Sequence, residues 1–140
     1  MRVAVDANVV AAALLRPEGW SARQFRRVDV RWVAPALLRV ELAEHEEALR
    51  LKAQCSRPLW RRRRSALLRR LHFVPTSKLV AVAGHPLVRL AARIDPDDAP
   101  YLAVLAAGEA ALLWTRDRAL LQAFPGLAVL APPSAEDLGP

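Results

Sequence analysis

Short apolar runs of strand length alternate with helical stretches along this chain, and that alternation constrains the fold more than any other feature. Residues 2–5 read as a buried strand, with β-branched Val3 and Val5 and a stop at Asp6. Residues 9–15 are helix-like and end at Pro17 and Gly19, and residues 20–28 form a second short helix. A strand over 30–33 follows. Pro35 then sits at a helical first turn, and the helical pattern runs on to about Lys52 through Leu37, Leu38, Leu42 and Leu49. Pro58 opens a helix to about Leu71, residues 73–74 carry a weak strand signal, and residues 87–92 look helical. The last third is the most regular: a turn at 95–98, a helix over 100–107 ended by Gly108, and a strand over 110–114. A turn over 115–118, a helix over 119–124 and a strand over 127–130 complete it, before Pro132 and Pro133 lead into a short tail.

Strands separated by helices specify a parallel sheet with helices on both faces. The expected fold is therefore an α/β, three-layer α/β/α sandwich around a mainly parallel sheet of four or five strands. With 140 residues, 54% of them hydrophobic, the chain is sized for one domain over 1–140 that buries a core without staples. Cys55 is the single cysteine, so no internal disulfide forms, and a reduced cytoplasm is the default location. The apolar run before Asp6 is too short for a signal peptide, and no run reaches the roughly 20 residues a bilayer requires. No membrane partner is expected. The net charge is +7, and arginine supplies 19 of the 21 basic residues, all but Lys52 and Lys78. A pI of 11.1 in so small a chain favours a polyanion, nucleic acid first.

In an open α/β sheet the functional crevice lies beyond the carboxyl ends of the strands. Asp6 follows the first strand directly, Asp117 lies three residues past the strand ending at Trp114, and Asp98 opens the helix that precedes that strand. Glu41 reaches the same edge only if its helix crosses it, and Glu44, one turn on, is its rival. Each acid alone has a plainer reading: Asp6, Asp98 and Asp117 suit helix caps or turns, and Glu41 suits a solvated helix face. Brought together, four carboxylates repel one another and lose hydration unless cations neutralise them. Such hard oxygen donors suit Mg²⁺ or Mn²⁺ better than zinc.

The segments around these acids resemble, in order and spacing, those of PIN domains. VAVDANVV is similar to the opening strand of that family, with its Asp and following Asn or Thr. APALLRVELAEHEEAL is similar to the second motif, a proline six residues before a ligating Glu, which selects Glu41. DPDDAPYLAVLAA is similar to the third, giving Asp98, with Asp95 and Asp97 as neighbours. LLWTRDRALL is similar to the fourth, giving Asp117, with the Thr115 hydroxyl behind it. No one motif is specific; the ordered set is. The likeness extends to small prokaryotic members, VapC-like toxins of toxin–antitoxin pairs among them. It implies a Mg²⁺- or Mn²⁺-dependent endoribonuclease with Asp6, Glu41, Asp98 and Asp117 as metal ligands and catalytic residues. RNA is then the substrate, and a cognate antitoxin and a homodimer are the expected protein partners. In such chemistry carboxylate-held metals polarise a phosphodiester and lower the pKa of the attacking water.

Arg57, Arg61 to Arg64, Arg69 and Arg70 crowd one helical stretch, with Trp60, Leu67 and Leu71 on one side and Arg62 and Arg69 opposite. That is a solvated face over an apolar stripe, a backbone-binding patch for RNA, or a dock for an acidic antitoxin segment. Trp20, Trp32, Trp60 and Trp114 are read as core. His45 lies near Glu41 on its helix, but His45, His72 and His85 are scattered and form no triad. The rivals are a metal-dependent DNA nuclease and a non-catalytic RNA-binding module of the same fold. An aspartyl phosphohydrolase would need an acid where Asn8 stands.

Overall fold

The computed structural model describes residues 1–134; residues 135–140, and with them most of the tail beyond Pro133, lie outside the described residues. Five parallel strands form one sheet in the order β3-β2-β1-β4-β5: β1 Arg2–Val5, β2 Arg31–Pro35, β3 Leu71–Val74, β4 Leu112–Trp114 and β5 Ala128–Val129. β1 is central, paired on one side with β2 (Val3 opposite Trp32) and on the other with β4 (Val5 opposite Trp114).

The chain steps outward from β1 to β2 to β3, then returns to the other side of β1 for β4 and β5. Right-handed crossovers place connections that run in opposite directions on opposite faces of a sheet. The helices divide accordingly. α1 Ala7–Leu15, α2 Trp20–Gln24, α3 Leu37–Glu44, α4 Glu46–Ala53 and α5 Arg57–Leu68 lie in the first two crossovers. Side chains from α1, α3 and α5 pack on Val3, Val5, Trp32, Ala34 and Trp114. α6 Thr76–Val80, α7 Pro86–Ile94, α8 Ala99–Ala106 and α9 Arg118–Ala123 lie in the later connections. They cover the opposite face around Ala4, Val33 and Leu113. Successive strand residues thus enter alternate cores, as the period-2 geometry of a strand requires, and the expected α/β/α sandwich is what forms.

Several boundaries differ from the sequence reading. The helix expected over 35–52 is two helices, broken at His45, whose φ of −103° and ψ of 7° leave the helical basin. Pro35 closes β2 instead of opening a helix. On that strand β1 pairs only through Val33, so the missing N–H of Pro35 removes no rung there. The second helix stops at Gln24, and Val28 is exposed. Leu71 belongs to β3, not to α5, and α6 carried no signal that separated it from a loop. Trp32, Trp60 and Trp114 are buried, but Trp20 is not: 47% of it remains accessible.

Candidate active site at the carboxyl edge of the sheet

The order of strands reverses between β1 and β4, and a crevice opens at such a point because the connections leave in opposite directions. Asp6 stands there. Its backbone N–H donates to the Trp114 carbonyl at 3.0 Å, which ties the end of β1 to the end of β4. Its side chain does two things at once. Oδ1 accepts from the Ala7 amide at 2.8 Å and caps α1, while Oδ2 accepts from the Thr115 hydroxyl at 2.6 Å and from Asn8 Nδ2 at 3.4 Å. The capping role and the placement at the crevice coexist in one carboxylate.

Thr115 follows β4 and is fully buried. A hydroxyl can donate once and still accept; this one donates to Asp6 and accepts from the Asp117 amide at 3.0 Å. Asp117 in turn caps α9 through Oδ1, which accepts from Ala119 N at 2.8 Å and Leu120 N at 3.2 Å. Asn8 closes the ring by accepting from the Arg116 amide at 3.2 Å through Oδ1. Two strand ends are thereby locked together through side chains.

The other two acids arrive on helices. α8 runs back from the carboxyl edge toward β4, so its cap residue Asp98 stands at that edge. Glu41 lies on α3, half-buried, and its Oε1 accepts from the Tyr101 hydroxyl at 3.3 Å. Glu44 is exposed. The structure therefore turns Glu41, and not Glu44, toward the other acids. Tyr101 escaped the sequence reading. It sits three residues beyond Asp98 on the same helix, a spacing that puts two side chains on one face.

The electrostatics link each of Glu41, Asp98 and Asp117 to Asp6. Burial raises the pKa of Asp6 above the usual carboxylate range, offset by the hydrogen bonds from Thr115 and Ala7 and reinforced by the charge of Asp117. Burial also raises Glu41, with further upward pressure from Asp6, Asp97 and Glu44. Asp98 is pushed to about 7, first by burial and then by the charges of Asp6, Asp117, Asp95 and Asp97. Loss of hydration leads in all three, and like-charge repulsion adds to it. Tyr101, buried beside Glu41, is held well above the usual phenol range.

Four mutually repelling carboxylates are the donor set a hard divalent cation takes, and a cation is what would relieve the raised acids. Among the described residues, no three His, Cys, Asp or Glu side chains are gathered tightly enough to hold an ion as they stand. Asp6 and Asp117 are turned partly to their capping amides and Glu41 to Tyr101. Ligation therefore requires side-chain rearrangement at the three acids, and Asp98 takes no side-chain hydrogen bond among the described residues that would have to break. The chemistry of the donors fits a divalent metal. His45 is exposed at the break between α3 and α4.

No curated protein matches the chain. A family model does: that of the PIN domain matches residues 4–131, from within β1 to just past β5, and so takes in every strand and all four acids. Members of that family are usually metal-dependent nucleases, and Asp6 and Asp117 at the switch point of a parallel sheet agree with such chemistry. By that match over most of its length, the chain belongs to the PIN-domain family.

Proposed function

We propose that this protein is an endoribonuclease that hydrolyses RNA phosphodiester bonds with Mg²⁺ or Mn²⁺ held by Asp6, Glu41, Asp98 and Asp117. The observation that carries the reading is the placement of Asp6 at the carboxyl end of the central strand, tied to β4 and joined through the Thr115 hydroxyl to Asp117, with the charge of Asp6 reaching both Glu41 and Asp98. Carboxylates so placed lose hydration first and repel one another second, and a divalent cation offsets both.

When bound, the metal supplies Lewis acidity toward a phosphodiester oxygen and the activation of water for in-line attack. The protein's part is to present oxygens in a fixed arrangement. Thr115 holds Asp6, the α9 amides hold Asp117, and Tyr101 holds Glu41, so three of the four carboxylates are oriented by a named donor. Asp98, the least restrained, carries a proton part of the time at neutral pH and gives it up when a cation binds. A nucleic-acid substrate is supported by the net charge of +7 and by exposed arginines of α5, which suit a phosphate backbone; RNA over DNA rests on the resemblance to small prokaryotic PIN proteins.

The test is cleavage of a labelled single-stranded RNA, with and without chelator, by the protein and by its Asp98→Asn variant. Cleavage that needs Mg²⁺ or Mn²⁺ and vanishes in the variant supports the reading. Cleavage that persists in chelator, or in Asp98→Asn, contradicts it. Cleavage of DNA with RNA left intact would support the metal site and overturn the substrate.

A further inference from the structure

We propose that the groove beside the acids, floored by α1, α2 and α4, is the track along which single-stranded RNA enters, with Trp20 stacking on a base. The groove encloses about 730 Å³ and is lined among others by Trp20, Arg16, Lys52, Arg116 and Asn8. This rests on the ribonuclease reading above and extends it from the reacting phosphate to the strand on one side of it.

Three observations converge. The first is continuity: the groove's lining includes Asn8, whose Nδ2 donates to Asp6 Oδ2 and whose Oδ1 accepts from the Arg116 amide. A strand lying in it passes the residue bonded to Asp6. The second is charge. Its lining includes three cations, Arg16, Lys52 and Arg116, and no Asp or Glu. Among the described residues none of these three side chains makes an ion pair or a hydrogen bond, whereas Arg50, Arg57 and Arg64 nearby are each paired with a glutamate. Unpaired cations without acids suit phosphate and would repel a basic segment. The third is Trp20. It is 47% accessible, yet an edge-on contact with the buried Trp114 at 5.7 Å holds it in place. A large indole fixed on one side and open on the other is what a base can stack on, and stacking of this kind tolerates any base. An acidic peptide could meet the same cations but gains nothing specific from the open indole.

The test is equilibrium binding of a dye-labelled single-stranded oligoribonucleotide to the intact protein in chelator, read by anisotropy, so that no cleavage is needed. Trp20→Ala should weaken binding about ten-fold, and Trp20→Phe should restore much of it, because a ring of either kind can stack. An abasic strand of equal length should bind the unmodified protein about as weakly as the normal strand binds Trp20→Ala, a comparison that needs no variant to fold. Arg16→Gln with Lys52→Gln should lower the salt slope by about 1.4, at about 0.7 per phosphate contact on a single strand. Equal binding of abasic and normal strands, or an unchanged Trp20→Ala, overturns the proposal. So does polyglutamate displacing the RNA at lower concentration than unlabelled RNA does, which would assign the groove to an acidic protein. A protein that binds as predicted but never cleaves RNA in Mn²⁺ would sink the ribonuclease reading and leave the groove standing.

Discussion

The Thr115 hydroxyl lies between two acids, donating to Asp6 and accepting from the Asp117 amide in a fully buried position. Thr115→Val keeps the shape and removes both bonds, leaving a buried carboxylate and a buried amide short of a partner. That should cost roughly 1–3 kcal/mol in denaturant unfolding, and Thr115→Ser much less. Asp98 behaves oppositely. Its folded pKa of about 7 lies above its ordinary value of 3.8, so between those values the folded protein holds a proton that the unfolded chain gives up. Stability from this group is present at low pH and is lost as pH rises through that window. In metal-free buffer the Asp98→Asn variant should be more stable than the parent at pH 7.5 by about 1 kcal/mol, a figure reduced for the solvent screening of a half-exposed group. The gain should shrink toward pH 4.5. Thermal melts of both proteins across that range measure it, and an equal difference at both ends would refute the assignment of the raised pKa. Glu41 and Glu44 offer a third comparison: Glu41→Gln should lower cleavage at least ten-fold while Glu44→Gln leaves it near parental.

Among the elements, those that position the site differ in how visible they were. β1 and β4 announce Asp6 and Asp117 because a strand fixes the offset of the residue that follows it. A helix does not, so Glu41 could be preferred over Glu44 only by likeness to a known family; in the structure Glu41 is half-buried and bonded to Tyr101 while Glu44 is exposed. The break at His45 was illegible for a physical reason. Leu38, Leu42 and Leu49 continue one helical stripe, and neither Pro nor Gly interrupts it. The break lets both helices reach the same core, Leu38 and Leu42 from α3 and Leu49 and Ala53 from α4. Trp20 was misplaced in the core because an apolar pattern does not say which side of a five-residue helix faces solvent. Asp117 permits a test of how element and site share one side chain. Asp117→Asn, itself a good cap, should keep α9 and abolish most cleavage. Asp117→Ala should additionally cost about 1 kcal/mol of stability through the lost cap, and equal stability of the two variants would argue against the capping role.

Across the whole molecule, charge is separated by function. Asp6 and Asp117 stand at the carboxyl edge of the sheet, while across the sequence 21 Lys and Arg outnumber 14 Asp and Glu and give the net charge of +7. Arg62 on α5 and Arg69 at its C-cap are exposed, and among the described residues no ion pair engages either. If this face meets the RNA backbone, Arg62→Gln with Arg69→Gln should weaken binding evenly across sequences and flatten its salt dependence, because phosphate contacts carry no sequence information. Cleavage chemistry per bound strand should be unaffected. Acid and arginine variants thus fail in different ways, one in turnover and one in affinity. The central claim is that the carboxylate at the end of β1 serves a divalent cation in RNA hydrolysis. The most direct measurement is the single-turnover rate of RNA cleavage in Mn²⁺ by the protein and by Asp6→Asn, with RNA binding measured alongside. The account predicts that cleavage falls by at least about a hundred-fold while binding and the fold are retained, since loss of a group at a reacting centre costs on the order of 3 kcal/mol or more. An Asp6→Asn protein that cuts RNA at the parental rate would contradict it.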